Sequence, residues 1–130
     1  MHASRRTILM MQAETLATIM RDKKRASLGD AYINLAYSLA LTQIQGEPKG
    51  AKVSDRILAD AFKEAGLRNY LGTRLSRKDF ANASEAVLME AYQRELLTID
   101  ESARIIAHAN NSVIGIANLL KLATERLTGL

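Results

Sequence analysis

The chain has 130 residues, of which 48% are hydrophobic and 25% are charged, and its formal net charge at pH 7 is +4. This length suits one compact domain and is too short for two ordinary ones. Because there is no cysteine, the sequence excludes a disulfide framework, a thiolate zinc site and a cysteine nucleophile, and the low aromatic content of 5% argues against a stacking platform for single-stranded nucleic acid.

Helical periodicity predicts a first helix over residues 7–21 and a second over about 27–45, or from one turn earlier. The charged run at 22–25 joins them. The second helix is apolar on nearly every face, which is typical of a helix at the centre of a bundle or in a subunit interface. The loop at 46–50 ends it, because glycine and proline terminate helices.

Ser54 has the position of an N-cap for a third helix over residues 55–65, which Gly66 closes. A short helical turn follows at 67–71. Ser76, with Asp79 three residues later, is the predicted start of a fourth helix.

The fourth helix is predicted over residues 77–97, and a capping box at Thr98 starts a long fifth helix that runs to about Thr128. Three residues can bend or break this last helix: Asn110, Asn111 and Gly115. No segment alternates in the manner of a strand. We therefore predict an all-α fold, a single-domain bundle of five or six helices spanning residues 1–130.

The apolar segments of the sequence predict where the protein is located. No apolar run reaches the roughly 18 uncharged residues of a membrane span, and the apolar stretch near the N-terminus is interrupted too early for a signal-peptide core. We expect a cytoplasmic protein with no membrane association. The basic excess permits a polyanionic partner without requiring one.

Gly29 and Asp30 are unexpected in the apolar second helix. Glycine inside a helix costs about 1 kcal/mol relative to alanine, and a buried carboxylate needs a partner or a metal. Together they indicate a close backbone contact and a functional charge. The alternative is a capping box in which Ser27 is the N-cap and Asp30 only fixes the helix start. Most of the apolar residues around Asp30 are expected to be buried: Leu28, Ile33, Leu35, Leu39 and Leu41.

Glu85 is a second acid on the apolar side of a predicted helix. Asn82 lies three residues before it, on the same face. The other neighbours on this face are mostly apolar: Ala81, Leu88 and Tyr92. If the second and fourth helices pack together, Asp30 and Glu85 can share a Mg²⁺ or Mn²⁺ site, because hard cations prefer carboxylate oxygens. The alternative is a partly exposed glutamate at a helix edge.

Taken in order, these two stretches resemble the ribonuclease III family. Residues 28–31 (Leu-Gly-Asp-Ala), followed by an apolar helix, resemble its signature helix, in which the aspartate is catalytic. Residues 82–86 (Asn-Ala-Ser-Glu-Ala) resemble its later Asp-x-x-Glu-Ala motif, in which the glutamate binds metal. The resemblance covers roughly residues 23–97. It is strongest to short members without a double-stranded-RNA-binding domain, such as mini ribonuclease III and small archaeal relatives, and we expect no such domain here.

The resemblance implies a ribonuclease III-like endonuclease domain that cleaves double-stranded or structured RNA by metal-dependent phosphodiester hydrolysis. Asp30 and Glu85 would hold Mg²⁺ or Mn²⁺, and Asn82 would add a neutral oxygen or orient water. It also implies a homodimer with a basic cleft. The expected phosphate contacts are Lys23, Lys24, Arg25, Lys49, Lys52, Arg74, Arg77 and Lys78.

Two positions depart from the family pattern. Ala26 stands where the family often has a glutamate, and Asn82 stands where the second motif has its first acid. Loss of these carboxylates weakens metal affinity and favours an alternative function, a catalytically impaired dimeric RNA-binding module of the same fold. A third hypothesis is a helical protein-interaction domain, which predicts no salt-dependent binding of RNA.

Overall fold

The computed structural model describes residues 4–129, and within this range the chain forms six α-helices, one short 3-10 turn and no strand. The predicted all-α helical bundle is confirmed. No helix in the described range is both long and apolar enough to cross a membrane. The elements are α1 (Arg5–Met20), α2 (Lys23–Gln45), α3 (Asp55–Glu64), the 3-10 turn (Arg68–Tyr70), α4 (Arg77–Gln93), α5 (Ile99–Ala107) and α6 (Ser112–Thr128).

The start of α2 decides the role of Asp30. Asp22 is the N-cap, and its Oδ1 accepts a hydrogen bond from the backbone N–H of Arg25 at 3.0 Å. The helix therefore begins one turn before Ser27, which is exposed within its second turn. The capping-box interpretation of Ser27 is wrong, and Asp30 lies inside the helix, where no cap explains its charge.

The C-terminal half of the chain forms three helices where the sequence predicts two. The fourth helix stops at Gln93 instead of residue 97, because Glu95 adopts a left-handed conformation (φ 61°) and the Leu96 N–H bonds back to the Ala91 carbonyl at 2.8 Å. This pattern is a common helix C-cap. The predicted fifth helix is two helices, since Asn111 caps α6 by accepting from the Ile114 N–H at 2.9 Å.

The centre of the bundle is α4, not α2. It packs against α1, α2, α3 and α6, and is buried almost continuously from Phe80 to Ala91. One side of α2 faces solvent. Of the residues expected to be buried around Asp30, Ile33 is fully buried and Leu39 and Leu41 are half-buried, but Leu28 and Leu35 are about half exposed.

Gly29 is where α2 and α4 come closest. A Cβ placed on Gly29 would lie 2.1 Å from the carbonyl oxygen of Glu85, a separation that no side chain can occupy. The close backbone contact predicted at this glycine is therefore confirmed. Gly115 plays a similar part between α6 and α5, where a Cβ would lie 2.8 Å from the Ile106 carbonyl oxygen.

An ion-pair network holds the first turn of α2 against the end of α4. The Arg25 guanidinium lies 2.5 Å from a carboxylate oxygen of Glu90, and the other oxygen of Glu90 is 2.7 Å from Arg94. Arg25 also pairs with the N-cap Asp22 at 3.3 Å. Because Glu90 is 9% exposed, these two arginines supply the charge that its burial requires.

We expect Gly29→Ala to destabilise the protein by at least about 3 kcal/mol, because the added methyl meets backbone that cannot move without separating α2 from α4. Chemical denaturation measures the loss. Gly50→Ala is the matched control, since nothing lies within 4 Å of a Cβ there, and its effect should stay within about 0.5 kcal/mol. Equal effects of the two substitutions would contradict the close-contact interpretation.

Candidate active site

A polar cleft of about 440 Å³ lies between α2, the start of α3 and α4. It brings together the three residues singled out in the sequence: Asp30, Asn82 and Glu85. The full lining is Lys23, Ala26, Ser27, Asp30, Lys52, Val53, Asp55, Lys78, Asn82 and Glu85. We call this the acidic–basic cleft.

Glu85 is the buried acid of the cleft, with only 4% of its surface exposed. The pKa of its carboxyl group is raised from 4.5 to about 8, mainly by burial and also by a hydrogen bond with Asp30 and the like charge of Asp30. The positive charge of Lys78 lowers the pKa of Glu85 and so partly offsets this rise. Without a bound cation, the carboxyl group of Glu85 therefore holds a proton at neutral pH.

Asn34 orients Asp30. Its Nδ2 donates to Oδ1 of Asp30 at 3.2 Å, and its own side-chain oxygen accepts from the Val53 N–H at 2.8 Å. The amide therefore links the carboxylate to the loop that forms one wall of the cleft. The sequence analysis missed this residue, although an amide four residues after an acid on a helix is the spacing at which two side chains meet.

Asp55 is a third carboxylate in the cleft, also missed in the sequence. It occupies the first turn of α3, where its Oδ2 lies 3.5 Å from the Lys78 ammonium, and its charge contributes to the raised pKa of Glu85. Its place in the cleft depends on how α3 packs against α4, and helical periodicity does not report that packing.

The donor atoms suit a hard divalent cation, although the set is small. Among residues 4–129 no three His, Cys, Asp or Glu side chains converge into a metal cage. Ala26, 2% exposed and lining the cleft, offers a methyl group where the resemblance implies a carboxylate. Asp30, Glu85 and the Asn82 amide remain. Magnesium is commonly bound by one or two carboxylates, with water and substrate phosphate completing its shell, so this set fits.

Only three of the eight basic residues expected to contact phosphate line the cleft. Lys23, Lys52 and Lys78 line the cleft. Arg25 is half-buried and pairs with Glu90, away from the lining. The remaining four are exposed outside the lining: Lys24, Lys49, Arg74 and Arg77.

Comparison with protein families finds one match of direct relevance. A family model described as Ribonuclease III matches residues 23–125. The matched segment begins with α2, includes α3, α4 and α5, and ends near the end of α6. It contains every residue that lines the acidic–basic cleft. No curated protein gives a significant match to the chain.

We expect the carboxyl group of Glu85 to titrate near pH 8 in the metal-free protein. Its proton is held in the folded state and lost near 4.5 in the unfolded chain, so its contribution to stability is complete below pH 4.5 and disappears as the pH rises through about 8. Between about pH 5 and about pH 9 the wild type should lose roughly 1–2 kcal/mol relative to Glu85→Gln, since solvent in the open cleft screens the charges.

Two measurements in a chelating buffer check this: a ¹³C NMR titration of the glutamate carboxyl groups, and urea denaturation of both proteins across the pH range. Glu64→Gln, at an exposed site on α3, is the control and should follow the wild type. A Glu85 carboxyl that titrates near its ordinary value would contradict both the burial of this group and its interaction with Asp30.

Proposed function

Since the chain belongs to the ribonuclease III family, we propose that it is a cytoplasmic, metal-dependent endoribonuclease that hydrolyses phosphodiester bonds in double-stranded or structured RNA. One observation carries this proposal. Asp30 and Glu85, on two different helices, share a cleft that also contains three lysines. Carboxylates that hold a hard cation next to cations that bind phosphate are what metal-dependent phosphodiester hydrolysis needs.

The proposed cofactor is Mg²⁺ or Mn²⁺, held by Asp30 and Glu85. The like charge and the burial that keep Glu85 protonated would both be offset by a divalent cation between the two carboxylates. When bound, such an ion polarises a phosphoryl oxygen and lowers the pKa of bound water.

The other residues in and around the cleft have separate roles in binding the RNA and in orienting Asp30 and water. Lys23, Lys52 and Lys78 bind the backbone phosphates of RNA, a type of contact that does not depend on base sequence. Asn34 keeps Asp30 aimed into the cleft through the 3.2 Å hydrogen bond. The Asn82 amide oxygen accepts a hydrogen bond from water and orients it.

The alternative function is a catalytically impaired RNA-binding module. Ala26 and Asn82 favour it, because each lacks a carboxylate that the family pattern supplies. On this alternative the lysines of the cleft still bind RNA, and the acids do not hold a metal tightly enough for hydrolysis.

We further propose that the protein acts as a homodimer that associates through the exposed side of α2. Leu28 and Leu35 lie seven residues apart and therefore on one helical face, and they are 50% and 52% exposed. Tyr92 of α4, 45% exposed and packed against Tyr32 of α2, adds to this apolar surface. Adjacent apolar side chains of this size are frequent in interaction surfaces.

We expect labelled duplex RNA to be cleaved in the presence of Mg²⁺ or Mn²⁺, and cleavage to fall on the order of 100-fold or more in Asp30→Asn and in Glu85→Gln. Even loss of a residue that only supports a metal ligand often lowers activity 10–100-fold. Asp60→Asn, which removes an exposed acid of α3 outside the cleft, should leave cleavage unchanged.

The same variants separate the two functions. Cleavage that persists in both cleft variants, or in excess chelator, would overturn the assignment of the metal to Asp30 and Glu85. RNA binding without cleavage, unaffected by either substitution, would establish the non-catalytic module.

We expect the wild type to sediment as a dimer and Leu35→Glu to sediment as a monomer, because a charge on the apolar face of α2 cannot be desolvated without a partner. Ile44→Glu is the control. Ile44 is also exposed on α2, but it lies nine residues further on, which at about 3.6 residues per turn is the opposite side. A monomeric wild type, or an identical effect of both substitutions, would contradict this interface.

A further inference from the structure

A second, smaller pocket of about 280 Å³ adjoins the acidic–basic cleft. Met20, Leu71 and Leu75 give it an apolar wall. Its polar rim consists of Arg21, Lys23, Asp79 and Asn82. We call it the side pocket. Its volume is near the lower end of the ~300–1,000 Å³ of typical ligand pockets, so it has room for a single small ring system.

The side pocket and the cleft share two residues. Lys23 and Asn82 line both. Asn82 lies three residues before Glu85 on α4, so its amide stands at the boundary between the buried acid and the apolar wall. A ligand whose charged part lies in the cleft can therefore place an adjoining part in the side pocket.

The apolar wall of the side pocket suits an uncharged ring, and Asp79 places a carboxylate acceptor on its rim. Hydrogen bonds from Ser76 hold the pKa of Asp79 below its usual range, and the charge of Lys23 contributes, so Asp79 is ionised. Its negative charge partly offsets the two cations of the rim, Arg21 and Lys23. Both hydrogen bonds that Asp79 accepts from the Ser76 side chain and backbone end on Oδ2, at 3.0 and 2.9 Å. Among residues 4–129 its Oδ1 accepts none.

Oδ1 of Asp79 is an acceptor next to an apolar wall. A flat heteroaromatic ring that carries an amino group can pack on the wall and donate to such an acceptor. Adenine, cytosine and guanine carry an exocyclic amino group, whereas uracil does not.

We propose that the side pocket binds one unpaired nucleobase of the RNA substrate, next to the phosphate held in the cleft, and that it prefers amino-bearing bases over uracil. This inference rests on the proposed function, since it takes the cleft as the site that binds the RNA backbone. Removing a base from a stack costs free energy, least where the base is already mismatched or unpaired. The preferred substrate is then structured RNA with an unpaired nucleotide rather than a perfect duplex.

The test compares three probes by methyl NMR of the full chain in Mg²⁺: adenosine 5′-monophosphate, uridine 5′-monophosphate and ribose 5-phosphate, which lacks a base. We expect adenosine 5′-monophosphate to shift the methyl signals of Met20, Leu71 and Leu75, uridine 5′-monophosphate to bind more weakly, and ribose 5-phosphate to leave these signals in place.

Leu71→Trp fills the side pocket and should weaken binding of adenosine 5′-monophosphate at least tenfold, while binding of ribose 5-phosphate stays unchanged. Asn69→Trp is the matched control, because Asn69 is exposed in the neighbouring 3-10 turn and does not line the pocket. Leu75→Phe provides a second filling variant if Leu71→Trp does not fold, as judged by its thermal transition.

Equal binding of all three probes, with no shift at the apolar wall, would overturn the nucleobase inference. It would leave the proposed function intact, because phosphate would still bind in the cleft. Conversely, if adenosine 5′-monophosphate shifts the wall signals, the side pocket is supported even if labelled RNA is bound without being cleaved. Failure of the nucleobase inference and failure of the proposed nuclease function are therefore distinguishable. Equal weakening by Leu71→Trp and Asn69→Trp would also count against the pocket.

Discussion

The contact between Gly29 and the backbone of Glu85 is the constraint on which the site depends. Only a residue without a side chain allows α2 to come this close to α4. Asp30 follows Gly29 directly, so the same contact brings its carboxyl group to that of Glu85. The Arg25–Glu90 ion pair, about one turn away along both helices, keeps the two from separating. Helix packing and carboxyl geometry are therefore set by one approach of the backbones.

This arrangement opposes stability. Glycine inside a helix weakens it, and two facing carboxyl groups in a partly buried cleft disfavour ionisation of at least one, as the raised pKa of Glu85 indicates. A hydrophobic pair at Asp30 and Glu85 would pack the same helices without either penalty. Departures of this kind from the local rules of folding are expected at functional sites, where the geometry is retained for what it binds.

How much could be predicted from the sequence depended on whether a residue broke a local pattern. Gly29, Asp30 and Glu85 stood out because glycine and carboxylates are unusual on apolar helix faces, and the caps at Ser54 and Ser76 follow local rules that the structure confirms.

Other features depend on tertiary packing, which the sequence pattern does not describe. Asp22 and Ser27 are both acceptable N-caps, and the salt bridge from Arg25 to α4 favours the earlier start. Asp55 joins the cleft only once α3 is placed, and the hydrogen bond from the Val53 N–H to Asn34 forms only once the loop before α3 is placed. The central position of α4 is seen in its small residues, since Ala81, Ala83, Ala86 and Ala91 are all fully buried and let neighbouring helices approach. By contrast, α2 carries Leu28 and Leu35 on a side that the single chain leaves open.

The cleft would supply only a few ligands to a bound cation. Two carboxylates and one amide leave most of a magnesium shell to water and phosphate, so the cation and an RNA phosphate would each strengthen the binding of the other, and this coupling is reciprocal. The charges of the cleft favour the same order of events. With Glu85 protonated, one negative charge fewer faces the three lysines of the cleft, which would favour binding of a phosphate first. On the proposed function, a phosphate beside Asp30 and Glu85 would add negative charge and oxygen ligands for a divalent cation, and binding of that cation would favour loss of the proton from Glu85. If the chain binds metal in this way, Ala26 and Asn82 would weaken metal binding and make it depend on RNA without removing the site.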